Sequence, residues 1–352
     1  MAANFWASSQ RTHWQSTKQQ LSDIRKKVED DVLVQQYPLP EWRLLSIYFN
    51  QQITKLGKRL QMRQQVLATA QLYVRRFYTK VEIRHTNPYL VMATALYLAG
   101  KMEESPQHIR MVVTEARNFW PDLMTTDTSK IGECEFFLIS EMNSQLIVHH
   151  PYRTLAELQT TLQLSQEDNM LAWSVINDHY LTDLPLLYPP HVIAIAAIFM
   201  AVVLKPASAA SITASSSSSA PSSASSSFNG NMQHSSSAAG GSAGRGPPGA
   251  GSKAGASGAA TGAATGAATG AGAGAGAGGA AGKGPPPAQQ GQPQNKIQRL
   301  MAWLATSQVN VESLVDCTQE IISLYDVWEQ YNDKVCKEQI SKFVKARGLD
   351  KG

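Results

Sequence analysis

The sequence predicts an all-α protein of two tandem five-helix bundles, with an N-terminal helix and a disordered low-complexity insertion in the second bundle. Three observations predict it. Apolar residues recur at three- and four-residue steps through both halves of the chain. Each half holds one helix that is apolar on nearly every side and is opened by proline. No alternating pattern of strand length interrupts them.

Residues 1–40 read as an N-terminal segment with a helix, and the first bundle spans 41–147. From Glu41 to Leu60, Trp42, Leu45, Phe49, Ile53, Leu56 and Leu60 make one continuous stripe. Gln61 to Tyr78 repeats the pattern with Val66, Tyr73, Val74 and Phe77. Asn87-Pro88 then supplies a cap followed by proline at the first helical position. The helix it starts, YLVMATALYLAGKMEES, stays apolar all round until Lys101, which puts it in the middle of a bundle. Shorter helices follow near Ile109 to Phe119 and from about Ser129 to Met142.

The second bundle, 148–205 plus 295–332, replays this order. Ser165 opens a capping-box-like S-x-x-D before a helix from Glu167 to Thr182. Pro189-Pro190 opens HVIAIAAIFMAVVL, again apolar all round. Placing Pro88 over Pro190 sets Leu90 on Val192, Ala95 on Ala197, Tyr97 on Phe199 and Ala99 on Ala201, a weak internal repeat. The helix from Asn310 to Trp328 mirrors the one from Ser129 to Met142. Residues 333–352 read as a C-terminal helix and tail, solvated and amphipathic.

Between the halves of the second bundle, 206–294 turns to Ser/Ala, then Gly/Ala/Thr, then Pro/Gln. It holds almost nothing large and apolar, so burial cannot offset the entropy of ordering it. Its formal dinucleotide fingerprint, Gly274, Gly276 and Gly279, has no strand before it and no helix after it, and is noise. Closing a long flexible loop costs only about 0.6 kcal/mol per doubling of length, so the bundle can carry the insertion.

Composition narrows the function. The 352 residues suffice for two ordinary domains. The insertion holds Arg245, Lys253 and Lys283 and no acid, and removing these three from the net charge of +4 leaves +1 for the rest. A near-neutral folded part gives no general drive toward nucleic acid. Cys134, Cys317 and Cys336 are odd in number and widely spaced, which argues against structural zinc and a disulfide framework and for free thiols in a reducing compartment. The opening MAANFWASSQRTHWQ has no apolar core of signal-peptide length, and Val192 to Leu204 falls short of the ~20 residues that cross a bilayer. The expectation is a cytosolic or nuclear protein with no membrane partner and no cofactor.

No catalytic constellation stands out. Metal, nucleophile-elbow and P-loop signatures do not occur in the folded parts. His149 and His150 read as linker histidines before Pro151, and Glu103 with Glu104 point to different helix faces. What remains is charge at the edge of buried helices. Lys101 ends an apolar helix, and Glu135 sits among apolar neighbours in GECEFFLISEM. Composition alone favours solvated helix-end residues, one pairing with the other. Side by side and rimmed by Leu98, Met102 and Ile139, they would instead have the anatomy of a docking site.

The tandem five-helix plan, RRFY at Arg75 to Tyr78, LYLAGKMEES at Leu96 to Ser105 and ECEFFL at Glu133 to Leu138 together resemble the cyclin box. The likeness runs through nearly all of 1–205 and resumes from about Ile297 to Trp328. It extends to the cyclin of the Mediator kinase module through NFWASS, RQQVLATAQLYVRRFY, LIVHHPYRTL and AWSVINDHYLTDLPLLYPP, as in a fungal-type member with a low-complexity insertion. The resemblance implies a cyclin-dependent kinase as partner, other Mediator kinase-module subunits beside it, and no direct contact with nucleic acid. It implies that Lys101 and Glu135 bond kinase backbone while Leu98, Met102 and Ile139 pack on the kinase's regulatory helix. Phe5 and Trp6 are assigned to the same partner or to the bundle itself. Asp183 and Tyr188 are assigned to a groove between the boxes for a second partner, with a helix end and turn as the plainer reading. Cell-cycle cyclins carry M-R-A-I-L-x-x-W on the first box helix; here Leu45, Ser46, Ile47, Tyr48 and Phe49 stand there, with Gln52 in place of tryptophan. That favours a transcriptional cyclin. Two other readings stay open: the double five-helix fold of general transcription factor IIB, which binds DNA and the TATA-binding protein, and a cyclin-like scaffold that activates no kinase.

Overall fold

The computed structural model describes residues 4–29, 32–203 and 295–351, and every regular element among them is helical. The insertion expected at 206–294 lies outside the described residues. All of the described residues fall within one compact unit.

Three N-terminal helices come first: α1 (Ser9–His13), α2 (Lys18–Glu29) and α3 (Val32–Gln36). The first bundle is α4 (Trp42–Arg59), α5 (Gln64–Phe77), α6 (Pro88–Met102), α7 (Ile109–Phe119) and α8 (Thr128–Glu141). The second is α9 (Tyr152–Thr161), α10 (Gln166–His179), the short α11 (Leu184–Leu187), α12 (Pro190–Val203), α13 (Lys296–Thr306) and α14 (Val311–Glu329), followed by α15 (Asp333–Ala346).

The two prolines do what the sequence asks of them. Pro88 begins α6, with the Asn87 side chain accepting from the Tyr89 amide, and Pro190 begins α12. Proline fits there because the first helical amides have no intrahelical acceptor. Both helices are buried nearly throughout, α6 packing on α4, α5, α7 and α8, and α12 on α9, α10, α13 and α14. Gly57 lets α4 and α5 close together, since a Cβ there would meet Leu67 Cδ2 at 2.0 Å. The helix expected to run to Thr182 stops at His179, and a turn leads into α11.

All three cysteines are free and buried, and burial pushes the Cys134 and Cys336 thiols up to about 11 and Cys317 to about 12. They are core residues with little thiolate character.

The C-terminal helix corrects the expectation of a solvated element. Cys336, Ile340, Phe343 and Val344 of α15 belong to the core of the first bundle. Its C-terminal end is tied down too: Asn87 Nδ2 donates to the Leu349 carbonyl at 3.2 Å, and Arg347 bonds the Arg84 carbonyl. The chain therefore crosses back from the second bundle to finish the first.

Burial holds His179 neutral, with its pKa down to about 3 against a usual 6.5, and its Nδ1 faces the Ile176 carbonyl. Below the unfolded value, the unfolded chain takes up a proton that the folded one refuses. Its contribution is complete above about pH 6.5 and is lost as pH falls toward 3. Urea midpoints measured at neutral and mildly acidic pH are expected to drop with acidification, and His179→Gln to flatten that slope.

Candidate protein-binding face

The last turn of α6 and the middle of α8 meet at the edge of the first bundle. Lys101 is the only basic residue in the last turn of α6, where a cation complements the helix dipole. Gly100 before it leaves room for the following turn: a Cβ would meet the Ser105 carbonyl oxygen at 3.0 Å, and the Ser105 amide donates to the Gly100 carbonyl at 2.9 Å. Glu103 is fixed by Thr69 and Gln65, each at 2.6 Å, and stands 3.8 Å from His150. Burial works to raise its carboxyl, but these hydrogen bonds and His150 hold it below the usual range. Glu104 remains exposed, so the paired acids do face apart.

On α8, Ile131, Cys134 and Leu138 turn inward. Glu135 follows Cys134 and pairs with Lys101, whose ammonium lies 4.6 Å from the centroid of the Tyr97 ring. The Lys101 side chain is 40% exposed and that of Glu135 only 12%. The pair is thus set into the surface rather than waving above it. By the internal repeat, the position of Lys101 in the second bundle is Val203, which is exposed and uncharged.

Apolar side chains surround the pair, though not quite those expected. Met102 is exposed and Ile139 is half-buried against the core. Leu98 must be corrected: it is buried inside the first bundle, because it lies on the inward side of a helix packed all round. It supports the surface from beneath and is not presented to a partner. Two residues the sequence reading missed are presented. Phe136 is 76% exposed, and Phe137 is exposed with its ring edge-on to Phe77 at 5.2 Å. The spacing held the signal: with 131, 134 and 138 turned inward, 136 and 137 have to face outward.

The remaining assigned residues lie elsewhere. Phe5 and Trp6 sit in a 3-10 turn beside the junction of the bundles, Phe5 against His149 at 5.7 Å and Trp6 against His191 at 5.4 Å. They pack on this chain's own histidines. His150, read as a linker residue, is fastened in place, Nδ1 to the Tyr180 hydroxyl at 2.6 Å and Nε2 to the Thr69 hydroxyl at 2.7 Å. Among the described residues no cluster of three or more His, Cys, Asp or Glu is arranged to hold a metal.

Asp183 and Tyr188, assigned to a groove for a second partner, are each bonded within the chain. Both Asp183 oxygens bond Arg25, each at 2.6 Å, and one also takes Arg75 at 2.6 Å. Tyr188 donates to Asp316 at 2.6 Å, and Asp316 pairs with Lys18 at 2.9 Å. These groups fasten α2 across the two bundles. Asp183 lines a cavity of about 660 Å³ together with Arg25, Trp42, Arg43 and Glu320, with its carboxylate shared between Arg25 and Arg75.

The family description for the cyclin N-terminal domain matches residues 14–147. Over all of its length, and all of theirs, the chain is 53% identical to the RNA polymerase II holoenzyme cyclin-like subunit of Aspergillus oryzae and 52% identical to that of Neurospora crassa. The chain belongs to the cyclin family. Within it the likeness is to fungal proteins of the cyclin C type. Among solved structures, the yeast TFIIK complex (Kin28/Ccl1/Tfb3) holds a chain 22% identical with a TM-score of 0.48, covering 56% of this chain and 85% of that one. The ATP-gamma-S-bound CAK complex of Chaetomium thermophilum holds another, 22% identical with a TM-score of 0.46, covering 55% and 67%.

The family match turns the choice between double-bundle folds toward the cyclin and away from transcription factor IIB. It also gives meaning to the changes on α4. Ser46, where cell-cycle cyclins carry arginine, donates to the Leu181 carbonyl at 2.7 Å and receives Arg75. Gln52, where they carry tryptophan, accepts from Trp120 Nε1 at 3.1 Å and donates to Asp333 at the start of α15 at 3.4 Å. In this cyclin that stretch of α4 is bonded to the rest of its own chain.

Proposed function

We propose that this chain is the regulatory cyclin of a cyclin-dependent kinase of the Mediator kinase module, acting in the nucleus on RNA polymerase II transcription. It has no reaction of its own; its work is binding. The observation that carries the reading is the Lys101–Glu135 pair set into the first bundle beside exposed Met102, Phe136 and Phe137. A charged pair able to bond backbone, ringed by exposed apolar side chains, is the make-up of a protein contact. The names of the full-length relatives support RNA polymerase II as the context.

The mechanism is a population shift. A lone kinase of this class rests with its regulatory helix swung away and its Lys–Glu pair broken. A cyclin that binds the swung-in form better moves the balance. Going from about 1:99 to 99:1 takes about 5.5 kcal/mol of differential affinity, which an interface of about 1,600 Å² with a few good anchors supplies. Phe136, Phe137 and Met102 give most of that energy, and Lys101 with Glu135 fix register. Both bundles and α2 are joined by buried contacts, so the face is offered ready-shaped, which limits the cost of binding.

The test is capture of a kinase from extract by the full chain, with mass spectrometry to identify it. Lys101→Ala with Glu135→Ala is expected to weaken capture by about 2 kcal/mol, roughly thirty-fold, with helical circular dichroism unchanged. Undiminished capture counts against this face. Capture of a kinase that gains no activity would leave the scaffold reading in its place.

A further inference from the structure

A second candidate site lies at the junction of the N-terminal turn, the linker between the bundles and the starts of α9 and α12. A cavity of about 510 Å³ opens there, lined by Asn4, Trp6, His149, Arg153, Thr154 and His191 among others. Its walls are well fixed. Gln10 is buried and grips the His149 backbone both ways, accepting from its amide at 2.7 Å and donating to its carbonyl at 3.3 Å. The Asn4 Oδ1 accepts from the Trp6 amide at 3.0 Å, which leaves its side-chain amide as a donor.

The lining is rich in donors and poor in acid. His150 has both ring nitrogens engaged, whereas no hydrogen bond holds the ring nitrogens of His149 or His191 among the described residues. Arg153 pairs only with Glu157, and both side chains are well exposed. A pair of that kind is weak and easily exchanged for a better acceptor. Glu157 is the single acid of the lining, and Arg11 stacks on the Trp6 ring at 5.3 Å, adding positive charge nearby. Trp6 itself is 56% exposed at the mouth, an indole with room to cover something bound.

We propose that this cavity binds a phosphate monoester carried on a peptide segment, with Arg153 and the His149 and His191 imidazoles as donors and Trp6 packing over the segment. Donors line the cavity from three separate stretches of chain, at Asn4, at His149 to Thr154 and at His191. That arrangement suits a tetrahedral oxyanion better than a flat carboxylate, which a single guanidinium satisfies. A nucleic-acid strand is the weaker candidate, because the lining holds a single arginine and no lysine, too few cations to track a run of phosphates. The site does not depend on the kinase reading, and its test uses a separate signal from kinase capture.

The full chain, labelled with ¹³C-histidine, is titrated with phenyl phosphate while the His149 and His191 Cε1–H signals are followed. Both are expected to shift saturably with one dissociation constant. Arg153→Gln and Trp6→Ala are each expected to weaken binding about five-fold or more, with circular dichroism unchanged. Phenyl sulfate keeps a single negative charge as pH falls, so its affinity reports on the imidazoles. Burial, and for His149 also His150 and Arg153, hold both pKa values below the usual range. Arg11, His150, Arg153 and Glu157 are the other charged or titratable groups around them. Phenyl sulfate is therefore expected to bind more tightly below about pH 6.5. Equal binding of phenol would make the site merely apolar, and equal binding of benzoate would make it a carboxylate site. Either result, an absent or unsaturable shift, or an unchanged constant in Arg153→Gln overturns the proposal.

Discussion

Asp183→Ala is expected to lower the unfolding free energy by about 3–5 kcal/mol, the range for removing one partner from a buried ion pair. Arg75 is 4% exposed, and its Nη1 meets Asp183 while Nη2 bonds Ser46 and, at 2.9 Å, the Tyr180 carbonyl. Burial pulls the Arg75 pKa down, and Asp183 is the main charge opposing it. Without the carboxylate, a guanidinium that cannot lose its proton stays buried and uncompensated. Burial works to raise the Asp183 carboxyl, but Arg75 and Arg25 more than offset it and hold the pKa below the usual value. The stabilisation is therefore present above the unfolded pKa of about 3.9 and is lost as pH falls through the lower folded value. Arg25 is more exposed than Arg75, so Arg25→Ala is expected to cost less. Replacing both buried partners, Arg75→Met with Asp183→Leu, is expected to recover most of the loss, since an apolar pair of similar volume is often neutral. Urea unfolding decides the matter. A cost below about 1 kcal/mol for Asp183→Ala means that Arg75 swings out to water and that the bundles do not need this lock.

Phe343→Ala should cost about 3–5 kcal/mol, the range for emptying a large aromatic site in a packed core. Phe343 and its neighbours Ile340 and Val344 have no exposed surface, and they complete the first bundle from a helix that follows the second. A solvated helix would lose almost nothing. The sharper version is truncation before Asn332, which strips four buried side chains from α15 and the Lys55–Asp333 pair from α4. That variant is expected to unfold at a markedly lower temperature and to expose apolar surface on α4 and α6. A thermal midpoint within a few degrees of wild type for both variants would return α15 to the status of a tail.

Much of the first bundle was legible in the sequence because its signals are local. Proline after a cap starts a helix wherever it stands, and a helix apolar on all sides has to be surrounded, so α6 and α12 were readable to the residue at their starts. Lys101 and Glu135 do pair, as their composition alone allowed; that they bond a kinase backbone is what the family likeness implies. The apolar rim was legible only in part. Leu98 and Met102 lie on the same helix four residues apart, yet the first is buried and the second exposed, because α6 ends where the bundle does. Phe136 was not singled out in the sequence, and it is the most exposed aromatic beside the pair. The partners of Asp183 were not legible in the sequence because they stand 158 and 108 residues earlier in the chain.

By itself the sequence determined that the chain is helical, where most of the long helices run, which two must be central, and that the chain is assembled twice over from one pattern. Hydrogen bonding along a helix and the period of its apolar face depend on neighbours three and four residues away, so they are written locally. Only the tertiary structure decided what covers each face: that α15 returns to close the first bundle, that Arg25, Arg75 and Asp183 lock the two bundles, and that Phe136 and Phe137 stand outside. An amphipathic stripe announces that something must cover it, but which element does so depends on packing among segments hundreds of residues apart.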